Sequence, residues 1–113
     1  FNPEIHDREK IRSELNLSPE TVVIGIIGRI DPQKGQKEFL LATREVVKDF
    51  PGSNFLVIGP VEKGYEDYEK ELRKIATDTL LNGKVIFTGF RGDIPEILSA
   101  IDIFVLASHC VSF

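Results

Sequence analysis

A chain of 113 residues holds one domain at most, and at this size roughly two-thirds of the unfolded surface is buried on folding, so one core is feasible without being generous. Its 42% hydrophobic and 28% charged residues are ordinary for a soluble globular domain. The formal net charge of −4 excludes a general nucleic-acid binder, which needs a basic face, yet leaves room for one local basic site. The single cysteine, Cys110, excludes an intrachain disulfide and a cysteine zinc cluster and points to a reducing, cytoplasmic setting. No apolar run approaches the roughly 18 residues of a membrane span. The start at Phe1 lacks the basic region and apolar block of a signal peptide, and it lacks Met. With the end falling directly after an apolar strand, residues 1–113 are expected to be part of a domain truncated at both ends. Any membrane association would then belong to missing parts.

In chain order, residues 7–17 read as a helix with Ile11 and Leu15 on one face and Asp7 as its cap, broken by Ser18-Pro19-Glu20. Residues 22–27 are almost all apolar and rich in β-branched side chains, the pattern of a strand buried on both faces in a parallel sheet. A loop over 28–35 carries Pro32 and two glycines. A helix over 36–50 follows, with Phe39, Ala42, Val46 and Phe50 as its apolar stripe, stopped by Pro51-Gly52. Residues 54–58 are a second strand, ending at Gly59-Pro60. A helix over 65–79 places Tyr68, Leu72, Ile75 and Thr79 inward and pairs Glu66 with Lys70 and Glu69 with Arg73 on its solvated face. After an Asn82-Gly83 turn, residues 84–88 form a third strand ending at Gly89. Asp93 and Glu96 have the spacing of a capping box for a short helix to about Ala100, and residues 103–106 are a fourth strand. Strictly alternating strands and helices predict an α/β fold: a Rossmann-like parallel sheet with helices on both faces.

Open parallel sheets bind ligands beyond the carboxyl ends of their strands. Those ends are Gly28-Arg29, Gly59-Pro60, Gly89-Phe90-Arg91 and Ala107-Ser108. The 28–35 loop enters the amino end of a helix, where free N–H groups favour an anion, and it carries Arg29 and Lys34, a fork and a point charge that together suit a diphosphate. On composition alone the same pair reads equally well as two surface cations. The loop is neither a P-loop, since the order is Lys34-Gly35-Gln36, nor a dinucleotide fingerprint, since Gly25-Ile26-Ile27-Gly28 has the wrong spacing.

A strand ending in Gly28-Arg29 and followed by Lys34-Gly35 at a helix start resembles the carboxyl-terminal domain of GT-B glycosyltransferases of the group 1 (family 4) type. The later segments fit in order: Phe55-Leu56-Val57-Ile58-Gly59, then Val85-Ile86-Phe87-Thr88-Gly89-Phe90 with Asp93-Ile94-Pro95-Glu96, then the run from Ala100 to Ser108. Each motif is loose, but four in order over nearly the whole chain are specific. The resemblance implies transfer of a sugar from a nucleotide diphosphate sugar donor, with retention at the anomeric carbon and with no metal or other cofactor. It implies that Gly28, Arg29 and Lys34 contact the donor diphosphate, and that Gly59, Gly89, Phe90 and Arg91 lie at the nucleotide. Arg91 reads equally well as plain surface. The acceptor and the donor's base and sugar are not legible.

The sequence departs from the family in two places. Val111 stands where the first of a pair of glutamates is usual, and Ala107 replaces a common proline. A non-catalytic nucleotide- or sugar-binding domain of the same fold is therefore the alternative. His6 is assigned nothing, His109 reads as a loop histidine, and a Cys110–His109 dyad is disfavoured because adjacent residues in an extended segment point apart. Asp93 and Asp102 read as a cap and a strand-edge residue, and Tyr65 and Tyr68 as core or surface-lining. No Asp/Glu/His cluster has metal-ligand spacing.

Overall fold

The computed structural model describes residues 3–106, with side chains from Asp7 onward. Helix α1 (Pro3–Glu14) precedes strand β1 (Val23–Ile27). A 3-10 turn (Pro32–Lys34) leads into α2 (Gln36–Asp49), followed by β2 (Asn54–Ile58) and α3 (Glu66–Ala76). Then come β3 (Val85–Gly89), α4 (Ile94–Ser99) and β4 (Ile103–Val105). The four strands form one parallel sheet in the order β3-β2-β1-β4. This is the start of the Rossmann strand order, and its direction reverses between β1 and β4.

Strand alternation divides the core in two, because successive side chains point to opposite faces. Ile24, Ile26, Phe55 and Val57 join Phe39, Leu40, Val47 and Leu72 beneath α2 and α3. Val23, Leu56 and Ile58 join Ile11, Leu17, Ile97 and Ala100 beneath α1 and α4. The central strands β1 and β2 are buried on both faces as their composition implies, whereas β3 and β4 are more open edges. A Cβ on Gly25 would lie 2.7 Å from Ile101 Cδ1, so this glycine makes room for a side chain of the segment between α4 and β4.

Several element details differ from the sequence reading. Helix α1 runs through Asp7, so Asp7 is no cap, and it stops three residues earlier than expected. Asn16 adopts a left-handed conformation, φ 57°, while Leu17 N–H donates to Arg12 O and Asn16 N–H to Ser13 O, a Schellman closure that leaves Leu17 as its apolar plug. The inward face of α2 is Gln36, Phe39, Leu40, Thr43 and Val47, a stripe rotated from the one expected, and Phe50 is 64% exposed. On α3, Glu69 pairs with Arg73 as expected. Glu66 instead accepts from Gly64 N–H, Lys70 lies 4.0 Å from Asp67, and Thr79 lies beyond the helix and exposed. Asp93 occupies the cap position of α4 but makes no capping bond, because Arg91 takes its carboxylate.

Candidate functional site

The strand order reverses between β1 and β4, and the carboxyl ends of neighbouring strands at such a reversal are where an open parallel sheet takes a ligand. A cleft of about 820 Å³ lies there. Ile26, Ile27 and Gly28 form one wall, Val105 and Leu106 another, and Arg29, Asp31, Gln33 and Lys34 come from the loop leading to α2. Glu62 and Tyr65 reach it from the connection after β2.

Local sequence explains the shape of the loop. Asp31 caps the 3-10 turn, its carboxylate accepting Gln33 N–H at 2.8 Å, with Pro32 supplying the fixed φ that suits a first helical position. Gly35 ends the turn at φ 82°, a left-handed conformation that a glycine adopts without penalty, and opens α2 directly. The loop is also tied down on both sides. Ile30 N–H donates to Pro60 O at 2.8 Å and Glu62 N–H to Ile30 O at 3.2 Å. From α2, Gln36 Nε2 donates to Arg29 O at 2.9 Å.

Arg29 is 70% exposed at its side chain, with Nη1 3.4 Å from Glu62 Oε2. Lys34 makes no ion pair among the described residues. Its aliphatic stem passes Gly28, where a Cβ would meet Lys34 Cγ at an ordinary 3.8 Å. One of the first N–H groups of α2 is already used: Lys37 N–H donates to the Tyr68 hydroxyl at 3.1 Å. Burial raises the pKa of that hydroxyl above the usual tyrosine value, so it stays protonated. Lys37 N–H is therefore not free to receive an anion at this helix start.

Gly28, Gly59 and Gly89 stand side by side at the strand ends. Gly28 N–H donates to Ile58 O at 2.9 Å and Gly59 N–H to Gly89 O at 3.0 Å.

The sequence matches the family described as glycosyl transferases group 1 over residues 7–113. The chain belongs to that family. Anabaena HepE, in a structure with UDP and glucose, superposes with a TM-score of 0.82 at 32% identity, covering 91% of this chain and 27% of that one. The C-terminal domain of LpcC from Francisella tularensis, a group 1 family protein, gives 0.80 at 33% identity, covering 94% and 55%. In sequence, the chain is 32% identical over 110 residues to the UDP-Gal:alpha-D-GlcNAc-diphosphoundecaprenol alpha-1,3-galactosyltransferase of Escherichia coli, covering 96% of this chain and 27% of that enzyme. The chain thus spans about a quarter of the length of two of these relatives. The GT-B type, Rossmann-like fold read from the sequence is the observed one.

Within this glycosyltransferase fold, the structure brings Gly28, Arg29 and Lys34 together in the cleft. Gly59, Gly89, Phe90 and Arg91 do not line it. Gly59 is buried between strand ends. Gly89 is exposed at φ 68°. Phe90 is 74% exposed on the same edge. The Arg91 side chain turns away to Asp93 and to Glu14 of α1, 3.5 Å distant. Hydrogen bonding to Asp93 raises the Arg91 pKa, and the same bond lowers that of Asp93. Of the tyrosines, Tyr65 lines the cleft and Tyr68 braces α2. His109, Cys110, Val111, Ala107 and Ser108 lie outside the described residues, as does the side chain of His6.

Asp31, Gln36 and Glu62 also shape the site, beyond the residues that the sequence singles out. Gln36 carried a usable signal, a polar residue on the inward stripe of an amphipathic helix directly after the Lys34-Gly35 pair. Glu62 carried none, since one acid past a strand end is ordinary. Among the described residues no three His, Cys, Asp or Glu side chains gather as metal ligands, and no helix is long and apolar enough to cross a membrane.

Proposed function

We propose that the complete protein transfers a sugar from a nucleoside diphosphate sugar to an acceptor, and that this chain is a partial donor-binding domain. The observation that carries this reading is the cleft at the β1/β4 reversal, with Gly28, Arg29 and Lys34 gathered at it. Two cations on one loop suit a diphosphate, Arg29 as a fork and Lys34 as a point charge. During transfer, negative charge grows on the departing diphosphate as the bond to the anomeric carbon breaks. Fixed cations aimed at that oxygen stabilise the transition state more than the ground state.

Gly89 and the exposed ring of Phe90 lie at the edge where the nucleotide end would extend, and Gly59 serves by keeping the strand ends close. Retention at the anomeric carbon and independence from metal are the outcomes that family membership favours. The single cysteine suits a reducing compartment, and the cytoplasm is the location this reading implies. The acceptor-binding half lies elsewhere in the complete protein, so this part by itself is inactive: transfer needs both substrates held together.

The test is calorimetric titration of the complete protein with UDP, ADP and GDP, paired with hydrolysis of the matching sugar donors. Arg29→Ala with Lys34→Ala should weaken nucleotide binding sharply, each charge-assisted contact contributing about 1.5–3 kcal/mol. Unchanged affinity would overturn the diphosphate role. A second reading, a nucleotide-binding domain without transfer, is favoured by Val111 where the family commonly has glutamate. Binding without donor turnover would select it.

A further inference from the structure

The cleft that would take a diphosphate is not simply cationic. Arg29 and Lys34 share it with Asp31 and Glu62, so the formal charges of these four groups cancel. Asp31 is committed to its own turn through Gln33 N–H. Glu62 faces Arg29, with Oε2 3.4 Å from Nη1.

We propose that Glu62 is a positioning residue that pairs with Arg29 in the cleft and competes with the donor diphosphate for it. Binding then exchanges a carboxylate partner for a phosphate, and departure of the nucleoside diphosphate is helped by Glu62 retaking Arg29. The inference rests on the diphosphate reading given above.

The placement of Glu62 is built into the backbone. Ile30 and Val61 form an isolated parallel bridge that joins the loop after β1 to the loop after β2. Ile30 N–H reaches Pro60 O, Glu62 N–H reaches Ile30 O, and Tyr65 N–H closes a turn onto Glu62 O at 3.0 Å. Glu62 therefore stands on a stitched segment one residue past the bridge, and Arg29 stands one residue before it, so both side chains leave on the side opposite Ile30 and Val61. The guanidinium is the more exposed partner, its side chain 70% exposed against 35% for Glu62, and so the one open to a ligand.

The strength of the pair suits exchange. At 3.4 Å the contact is longer than the roughly 2.7–2.9 Å of a tight charge-assisted bond, and exposed pairs contribute little because water and salt screen them. A phosphate offers the same guanidinium a bidentate, more highly charged partner. The exchange thus runs toward the ligand, but less far than it would from an unopposed arginine.

The experiment is a double-mutant cycle on the complete protein. Dissociation constants for UDP, ADP and GDP are measured at low ionic strength for the wild type, Glu62→Gln, Arg29→Ala and the double variant, with Glu62→Ala as a second removal of the charge. Glu62→Gln should bind about two- to fivefold tighter than wild type, with a slower off-rate. Arg29→Ala should bind more weakly, and the gain from Glu62→Gln should vanish in that background, because no arginine remains to be released. An equal gain in both backgrounds would mean plain acid–phosphate repulsion and overturn the exchange. So would unchanged or weaker binding by Glu62→Gln while Arg29→Ala still weakens binding, and in that case the diphosphate reading survives. Failure of the wild type to bind any of the three nucleotides would remove both.

Discussion

Gly59 lies so close to the backbone of Gly28 that a Cβ built on it would fall 2.0 Å from the Gly28 carbonyl oxygen and 2.7 Å from the carbonyl carbon. Those are main-chain atoms directly after the central strand β1, so no rotamer change relieves the clash. The φ of 137° at Gly59 adds strain for any side chain. Gly59→Ala should therefore destabilise the protein by on the order of 3 kcal/mol, combining overpacking with an unfavourable backbone conformation. Gly89→Ala is the control: φ is 68° but the space is open, so the cost should be only about 1–2 kcal/mol. Urea midpoints of the two variants check this. A Gly59 variant no worse than the Gly89 variant would show that the strand ends separate easily.

The same pair shows how far the sequence could be read. A run such as Phe55-Leu56-Val57-Ile58 followed by glycine places a strand end reliably, because burial on both faces leaves little else for four apolar residues to do. Whether that glycine serves a ligand or its neighbour's backbone depends on which strands lie side by side, and that is a tertiary fact. Arg29 and Lys34 were legible because both cations sit within one short loop whose path is set by its ends. Glu62 was not, because its meeting with Arg29 depends on the Ile30–Val61 bridge between two separate loops. Arg12 was hidden for a similar reason: a charged residue on a short helix reads as solvated until its partners arrive from the far end of the chain.

Arg12 is 2% exposed and joins three parts of the chain. Its Nε donates to Ala100 O, Nη1 to the carbonyls of Ser18, Pro19 and Thr21, and Nη2 to Asp102 Oδ2 at 2.8 Å. Asp102, expected as a mere strand-edge residue, also accepts from Val23 N–H and from Arg8. Removing a buried, fully bonded guanidinium strands those acceptors, so Arg12→Met should cost about 3 kcal/mol or more. The hub lies at the amino ends of β1 and β4, away from the cleft, so nucleotide affinity of the folded variant should be unchanged. A loss of affinity at full folding would contradict this separation.

Asp102 also sets a pH dependence. Burial pushes its carboxyl pKa up, but the Val23 N–H and the Arg8 and Arg12 guanidiniums outweigh burial and hold it below the ordinary carboxylate value. A folded-state pKa below the unfolded one means that the stabilisation is present above about pH 4. It is lost as pH falls through the depressed folded value. Asp102→Asn should lower stability at neutral pH and flatten the acid limb of the stability curve, which denaturation at a series of pH values would reveal. An unaltered acid limb would assign that limb to other carboxylates.

Gln36 is 1% exposed, and its two amide atoms have opposite fates. Nε2 holds the Arg29 carbonyl, whereas Oε1 is buried with no hydrogen-bond partner among the described residues. Gln36→Leu removes one bond but also removes the unpaired oxygen, so the two effects offset and stability should change by less than about 1 kcal/mol. Gln36→Glu loses the donor and buries a carboxyl group, and should cost about 2 kcal/mol or more. Both variants free the backbone at Arg29 and should weaken nucleotide binding. A Leu variant that binds as well as wild type would show that the Ile30 contacts alone fix the loop.

Phe90 and Arg91 are neighbours with opposite prospects. Arg91 Nη2 is 2.5 Å from Asp93 Oδ2, and the same nitrogen lies 3.5 Å from Glu14 Oε2, so its charge is already spent between α1 and the start of α4. These partners are partly exposed, so Arg91→Ala should cost no more than about 1 kcal/mol in stability, and it should leave nucleotide affinity within about twofold. Phe90, 74% exposed at the strand-end edge, contributes little to the core. Phe90→Ala should leave the denaturation midpoint in place yet weaken nucleotide binding by about 1 kcal/mol or more, the scale of a base stacked on an aromatic ring. Calorimetry on the two single variants separates the cases. The reverse pattern, with Arg91 dominant, would require its guanidinium to leave Asp93 when the ligand arrives.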